Sequence, residues 1–505
     1  MECSVMKFAL CLLVFSAGAV PALAEPPAQS IHYSGRWDLS DSSKPWCAWQ
    51  GSSFAVSFSG QAISATMELD HVEYIRVIVD GDHFNSRRLK LKSETHDYVL
   101  AENLQPGSHS VEVVKETYSG RGRLTLHALR VADGELIPIP RRKPRLRIQF
   151  YGDSNLAGHS LGHEKDKGGG VHTGCHFTFA GIAARMLDAA YQNISVGGAR
   201  ILGRPNSVMS FFDRMEYSQK SAPWQFDRFP ADVCVLNIGA NNVGRSTQEE
   251  ISKDYLSLLR RLRKVHPSSH IVVMNGYGWD RAEPANYTEE VVEEFDDRNV
   301  SRLAFPWLFN EWHGCEYDHA GMAVVLAEHL ATINPAWKAV RAPDVMSGFG
   351  RDGDVATGSF ESVAPFGGYG WRYFEDGADR VHSPRESPSG EWYLRLPEGC
   401  QVHQPNPAVK SRTYTYRLKL RSPNPGTAKI RIEFRGQHFR SEIKDAAREF
   451  VFELQPEWKE YTVKVDSPPG TGDRSRDVWQ IIVRIIAESG TVECDDVRLF
   501  SKQGS

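Results

Sequence analysis

The hydrophobic period of this chain changes twice, and nothing else in the sequence constrains the fold so strongly. Between residues 31 and 136 apolar and polar residues alternate in short runs, at 54–58, 63–69, 74–79 and 108–114, with Asp80-Gly81 and Pro106-Gly107 as breaks. Period two over such lengths predicts half-buried strands, and the Gly-containing pairs predict the turns between them. This stretch is expected to form an all-β sandwich. After the linker or crossover Ile137-Pro138-Ile139-Pro140-Arg141-Arg142-Lys143-Pro144 the pattern becomes different. A strand-like run at 146–151 ends in Gly152-Asp153-Ser154, and Phe179, Ile182, Ala183, Met186 and Leu187 then recur at helical spacing. Runs 233–238 and 271–274 are continuously apolar, as in strands buried on both faces. Between them Thr247 and Glu250 make a capping box ahead of Ile251, Tyr255, Leu258, Leu259 and Leu262. Strand alternating with helix implies a parallel sheet covered on both sides. A last helix is expected over 320–333, stopping before Pro335. From about residue 343 the strand pattern returns, at 392–396, 413–420, 429–434, 449–454, 461–465, 478–486 and 492–499. A second β-sandwich is therefore expected.

The chain of 505 residues is too long for one hydrophobic core. The expected division is a signal peptide at 1–24, an N-terminal β-domain at 25–140, an α/β domain at 145–340 and a C-terminal β-sandwich at 345–505. Lys7, the apolar run 8–20 and Ala22-Leu23-Ala24 carry the signal-peptide pattern. Export, either secreted or periplasmic, is expected, without a membrane span. The net charge of −4 and the lack of a long basic stretch argue against a nucleic-acid partner and favour a neutral one such as a glycan. The six cysteines beyond the signal peptide show no zinc-ligand spacing. In an oxidising compartment the candidate pairs are Cys175 with Cys315 and Cys400 with Cys494.

The turn Gly152-Asp153-Ser154-Asn155 follows a buried strand, which places Ser154 at the carboxyl edge of a parallel sheet, where open α/β folds bind ligands. A serine hydroxyl needs a neighbouring base to act as a nucleophile. The same residues also suit a simple turn. Three further features favour chemistry. Glycines follow Asn193-Ile194-Ser195-Val196, where a backbone N–H is unobstructed for an oxyanion. Gly239-Ala240-Asn241-Asn242 ends the strand at 233–238, so the Asn241 carboxamide can add a donor. Glu311-Trp312-His313 precedes the last helix, from where the imidazole can reach back toward the first strand's end.

The order Gly-Asp-Ser, glycine, Gly-x-Asn and histidine resembles the SGNH (GDSL-type) hydrolases. Residues 31–335 resemble carbohydrate esterase family 2, in which an N-terminal β jelly roll precedes an SGNH domain. Tyr33-Ser34-Gly35-Arg36, Trp49-Gln50-Gly51-Ser52, Val79-Asp80-Gly81 and Pro106-Gly107-Ser108-His109 carry the jelly-roll part of the resemblance. It implies a flavodoxin-like parallel sheet with helices on both faces. It also implies Ser154 as nucleophile, with the Ser154 and Gly198 N–H groups and the Asn241 side chain as oxyanion hole. The implied reaction is acetyl-ester hydrolysis on polysaccharide through an acyl-enzyme, with no cofactor and no catalytic metal. His313 then takes the Ser154 proton and returns it to the departing sugar hydroxyl.

At the base the family block usually reads Asp-Trp-His-Pro, a second His and Met-Ala. Here Glu311-Trp312-His313-Gly314 leads to His319 and Met322-Ala323, and the register favours His313 as base, with Glu311 in the acidic position and His319 as fallback. Glu311 either orients the ring or points to solvent, leaving a dyad. Asn155 replaces the family's usual apolar residue and Asn242 its usual Asp, which bears on substrate preference. His159, His163, His172 and His176 read as a loop rimming the pocket rather than a metal site. Trp279 and Trp312 suit either sugar-stacking walls or core.

In the C-terminal part, Gly358-Ser359-Phe360-Glu361, Trp458-Lys459-Glu460-Tyr461-Thr462 and Val492-Glu493-Cys494-Asp495-Asp496-Val497-Arg498-Leu499 resemble the β-sandwich carbohydrate-binding modules of the family 4 and 9 type. Such a module raises local polymer concentration. Trp371, Tyr373 and Trp392 are platform or core candidates. Asp495 and Asp496 suit a structural calcium, and equally a turn or sheet edge. Two further readings remain open: an exported glycan-binding protein with a decayed esterase domain, and an esterase on a different acyl ester.

Overall fold

The computed structural model describes residues 30–503 apart from 71, 118–119, 140–142, 163–168, 204–205, 219, 243–244, 275–286, 304–312, 344–354, 356, 362–370, 372–376, 437–441 and 471–477. The N-terminal unit is two antiparallel sheets. Ser53–Ser59 lies between Ile31–Ser34 and Ser108–Lys115 in one, and Ala62–Leu69 between Leu124–Ala132 and Glu94–Ala101 in the other. Alternation in Ser53–Ser59 turns Phe54, Val56 and Phe58 inward, against Met67, Val111, Val113 and Leu126. Arg87–Leu91, too charged to read as a strand, pairs with Glu73–Val79 at a sheet edge.

The central unit is a five-stranded parallel sheet. Its order across the sheet is Ala189–Ser195, Leu146–Gly152, Val233–Asn237, His270–Met274 and Val300–Leu303. The first strand in sequence thus lies between the second and the third, the order of flavodoxin-like sheets. Val233–Asn237 and His270–Met274 are buried along their whole length, which accounts for their apolar runs. Helices Phe179–Leu187, Gln248–Val265 and Glu316–Ile333 accompany the sheet. The Thr247 capping box forms, with Glu250 N donating to Thr247 Oγ1 at 3.2 Å and Thr247 N to Glu250 Oε2 at 2.8 Å. The last helix begins one turn earlier than expected, at Glu316, because Asp318 Oδ2 accepts from Cys315 N at 2.9 Å and caps it there.

The C-terminal unit is a sandwich of a five-stranded and a four-stranded antiparallel sheet around Tyr416, Leu418, Ile430, Ile432 and Ile485. Trp371 belongs to that core and is fully buried, so it is no binding platform. Tyr373 lies outside the described residues, and Trp392 is half-buried with the Arg380 guanidinium 4.2 Å from its ring centre. Asp495 accepts from the hydroxyls of Ser387 and Ser389 at 3.1 and 2.7 Å, and Asp496 faces Lys419 and Arg498. These carboxylates are engaged by protein donors, and no cluster of three metal-ligating side chains occurs among the described residues.

Neither expected disulfide is formed. Cys175 Sγ instead lies 3.6 Å from Lys115 O, Cys315 caps the last helix, and Cys494 sits within a strand paired to Leu394 and Leu420. No described helix is long and apolar enough to cross a membrane. The signal-peptide residues lie outside the described part of the chain.

The jelly-roll and α/β units share a polar, buried interface. Arg36 is fully buried, its Nε donating to Gln192 Oε1 at 3.0 Å and Nη1 to Arg214 O at 2.7 Å. Trp49 enters the core of the α/β unit, and its Nε1 donates to Arg214 O at 3.0 Å. Gln50 Nε2 donates to Ser195 O and Oγ at 2.9 and 2.6 Å, tying the jelly roll to the strand end that precedes Gly198.

Candidate active site

The strand Leu146–Gly152 ends in a tight turn. A Cβ on Gly152 would stand 2.7 Å from Asn237 O and 2.9 Å from Leu156, so glycine alone fits where the chain leaves the sheet. His159 N donates to Ser154 O at 3.0 Å and Ala157 N to Asp153 O at 3.0 Å, winding the next residues into a helical turn. Ser154 is thereby held at the sheet's carboxyl edge, with its hydroxyl facing a side chain brought from 159 residues further on. His313 Nε2 lies 2.9 Å from Ser154 Oγ. Both side chains are largely buried, at 8 % exposure for Ser154 and 7 % for His313. With Nε2 unprotonated, the serine O–H donates to it, the arrangement in which an imidazole can accept that proton.

The fallback His319 is placed elsewhere. Its Nδ1 accepts from Phe179 N at 3.1 Å, its ring stacks on Phe179 at 6.0 Å, and burial pulls its pKa down to about 3. It therefore serves the start of the helix Phe179–Leu187. Glu311, Trp312 and Trp279 lie outside the described residues, as does His163. Of the other loop histidines, His159 packs its ring 4.5 Å from that of His313, and His176 is buried against His83, with rings 5.3 Å apart. His159 thus walls the imidazole that faces Ser154.

The expected oxyanion donors gather at the same edge. Gly198 has φ 71°, and a Cβ there would meet Asn206 Nδ2 at 3.8 Å, so its surroundings are open. The Asn241 Nδ2 donates to Asp153 Oδ2 at 3.2 Å and to Ala199 O at 3.1 Å. Asn242 is buried and accepts from Ile201 N at 3.2 Å through Oδ1, so it shapes the loop after Gly198. Asn155 is fully buried and donates to Asn237 Oδ1 at 3.1 Å, a role within the fold rather than at the pocket.

Two contributions escaped the sequence reading. Asp153 is buried, accepts from Asn155 N at 3.1 Å as well as from Asn241, and burial pushes its pKa up to about 7. Its position between Gly152 and Ser154 was the available signal, but its reach to Asn241 was not. The second is Arg88 of the jelly roll. Its guanidinium donates to Val171 O, Gly170 O and Thr173 O at 2.8, 2.7 and 2.5 Å, and to Glu116 Oε2 at 2.6 Å. Glu116 is buried and also pairs with Arg76 at 2.9 Å. The segment so clamped returns to the Ser154 turn, since Gly174 N donates to Gly158 O at 3.1 Å. No local pattern announces such a clamp, because its halves lie in different domains.

Residues 33–140 match the Carbohydrate esterase 2 N-terminal family, and residues 150–302 the GDSL-like Lipase/Acylhydrolase family. Together the two matches give the domain order of a carbohydrate esterase 2-like SGNH hydrolase, which this chain resembles over residues 33–302. Over 324 residues the chain is 26 % identical to the Cellulase/esterase CelE of Acetivibrio thermocellus, a match covering 59 % of this chain. The chain spans about two fifths, 39 %, of that relative's length. Among solved structures it resembles a family two carbohydrate esterase from Clostridium thermocellum in complex with cellohexaose, at 24 % identity and TM-score 0.56. That likeness covers 61 % of this chain and 99 % of the other. The acetyl xylan esterase Est2A from the rumen bacterium Butyrivibrio proteoclasticus superposes with TM-score 0.54 at 17 % identity, over 62 % of this chain and 97 % of that one. At these identities the structural likeness establishes the two-domain fold.

Proposed function

We propose that this hydrolase is an exported acetylesterase that removes O-acetyl groups from polysaccharide by a Ser-His mechanism. The observation that carries the proposal is the 2.9 Å approach of His313 Nε2 to Ser154 Oγ at the carboxyl edge of the sheet. His313 takes the hydroxyl proton as Ser154 Oγ bonds to the acetyl carbon. The carbonyl oxygen becomes an oxyanion, received by the N–H groups of Ser154 and Gly198 and by Asn241. Asn241 joins by exchanging one of its two present acceptors, Asp153 or Ala199 O, for the oxyanion. As the tetrahedral intermediate collapses, the bond to the sugar oxygen breaks, and His313 returns the proton to that oxygen. Water then attacks the acyl-serine with His313 again as base, releasing acetate and restoring the serine.

Polysaccharide as substrate is supported by the kinship with CelE and by the family two esterase that holds cellohexaose. Export through residues 1–24, a glycan-binding role for the C-terminal sandwich, and sugar stacking by Trp279 and Trp312 belong to the same proposal. Glu311 is proposed to orient the His313 ring. Hydrolysis of an aryl acetate, and acetate release from a panel of acetylated polysaccharides, test it on wild type and Ser154→Ala. The expected result is loss of activity by about 10³-fold or more in the variant. Equal rates, or preference for long acyl chains, would overturn the proposal.

A further inference from the structure

A second cleft opens where the jelly roll meets the α/β unit, on the side of the sheet away from Ser154. It has a volume of about 500 Å³ and is lined by the amino-terminal ends of Leu146–Gly152 and Ala189–Ser195 and by residues of the first strands of the jelly roll. Ser154, Asn241 and His313 do not line it. That volume falls within the range of small-ligand sites, which concentrate at domain interfaces.

Its lining has a consistent chemistry. Four arginines, Arg147, Arg185, Arg228 and Arg341, face it against two carboxylates, Glu112 and Asp188. Asp188 is partly offset by Arg341 at 3.6 Å, which leaves a cationic surplus. The Trp224 ring, also in the wall, has the Arg36 and Arg228 guanidinium groups 5.1 and 4.8 Å from its centre. Arg36 is fully buried, so its charge adds to the positive potential behind the wall. The Trp224 indole nitrogen, Nε1, is itself buried within the wall. That Nε1, at a residue 5 % exposed, has no hydrogen-bond partner among the described residues, and neither has His176 Nδ1, at a residue 3 % exposed. Tyr33 and Tyr191 add aromatic surface, and Leu39 an apolar lip that is 43 % exposed.

We propose that this cleft binds a carboxylate-bearing oligosaccharide, a uronate, through its arginines, separately from the esterase site. Guanidinium groups match a carboxylate in shape and charge. Aromatic and apolar walls complement the C–H face of a pyranose. An acidic sugar held here would anchor a polymer whose neighbouring residues carry the ester. The choice of a saccharide rests on the polysaccharide reading of the enzyme, whereas the binding itself needs no hydrolysis.

The test is calorimetric titration of the full chain with unacetylated trigalacturonate, cellotriose and sodium sulfate. Wild type is compared with the double variant Arg147→Gln/Arg341→Gln. Arg341 is half-exposed, at 51 %, and both residues lie outside the Ser154 site. The expected result is saturable trigalacturonate binding that weakens by about tenfold or more in the double variant and with added salt. Aryl acetate hydrolysis stays unchanged in that variant, so a failure of this proposal is distinguishable from a failure of the esterase reading. Absence of saturable trigalacturonate binding, equal affinity for cellotriose, equal affinity for sulfate, or an unaltered affinity in the double variant would each overturn it.

Discussion

Replacing Asp153 with Asn tests both the energetics and the chemistry of the nucleophile turn. The carboxyl is buried and its pKa is pushed from 3.8 to about 7 by loss of solvation. A carboxyl raised in the fold leaves its stability contribution intact below the unfolded value and forfeits it as pH climbs through the folded value. Between pH 3.8 and about 7 the wild type therefore loses up to about 4 kcal/mol through this one group, at about 1.4 kcal/mol per pH unit. Asn cannot ionise, so Asp153→Asn lacks that term. From about pH 5 to pH 8 the stability difference should move in the variant's favour by about 2–3 kcal/mol. At about 2–4 °C per kcal/mol for a domain of this size, that is a shift of about 5–10 °C in the gap between melting points. The transition is best followed as thermal loss of esterase activity, which reports on the unit containing Ser154. In the same variant an amide N–H₂ or a single carbonyl faces the Asn241 N–H₂, in place of a carboxylate that accepts from both Asn155 N and Asn241. Asn241 loses its anchor, and kcat is expected to fall by about 10²–10³-fold, the scale of one oxyanion donor. A melting-point gap that stays constant from about pH 5 to pH 8 would refute the assignment of a raised pKa to this buried carboxyl.

Arg88→Met removes the clamp on Gly170–Thr173 and leaves Glu116 buried with Arg76, so urea denaturation should show a loss of about 3–5 kcal/mol, with a loss under about 1 kcal/mol contradicting the clamp. His319→Leu strands the Phe179 N–H and should cost about 1–3 kcal/mol, yet retain most of the esterase rate. His313→Ala should lose about 10³-fold or more, and the reverse ranking would make His319 the base.

Local chemistry made much of this protein legible in advance. The two changes of hydrophobic period separated sandwich, α/β unit and sandwich, because alternation and helical spacing are properties of consecutive residues. The fully apolar runs marked Val233–Asn237 and His270–Met274 for the same reason. The strands Ala189–Ser195 and Val300–Leu303 carried no such run, since they lie at the two edges of the sheet and are only partly buried. Gly152-Asp153-Ser154 at a strand's end located the candidate nucleophile without any knowledge of its surroundings. Which imidazole reaches that serine was a different kind of question. His313 and His319 are six positions apart in one stretch of chain, and only the packing of the last helix turns His319 onto Phe179 and leaves His313 at Ser154. The same holds for the burial that raises the Asp153 pKa, for cysteines that remain apart, and for Arg88 reaching into the neighbouring domain. Each depends on atoms far apart along the chain meeting in a low-dielectric interior. Residue order constrains what a segment prefers to become, while the environment its side chains finally meet is set when the segments close on one another.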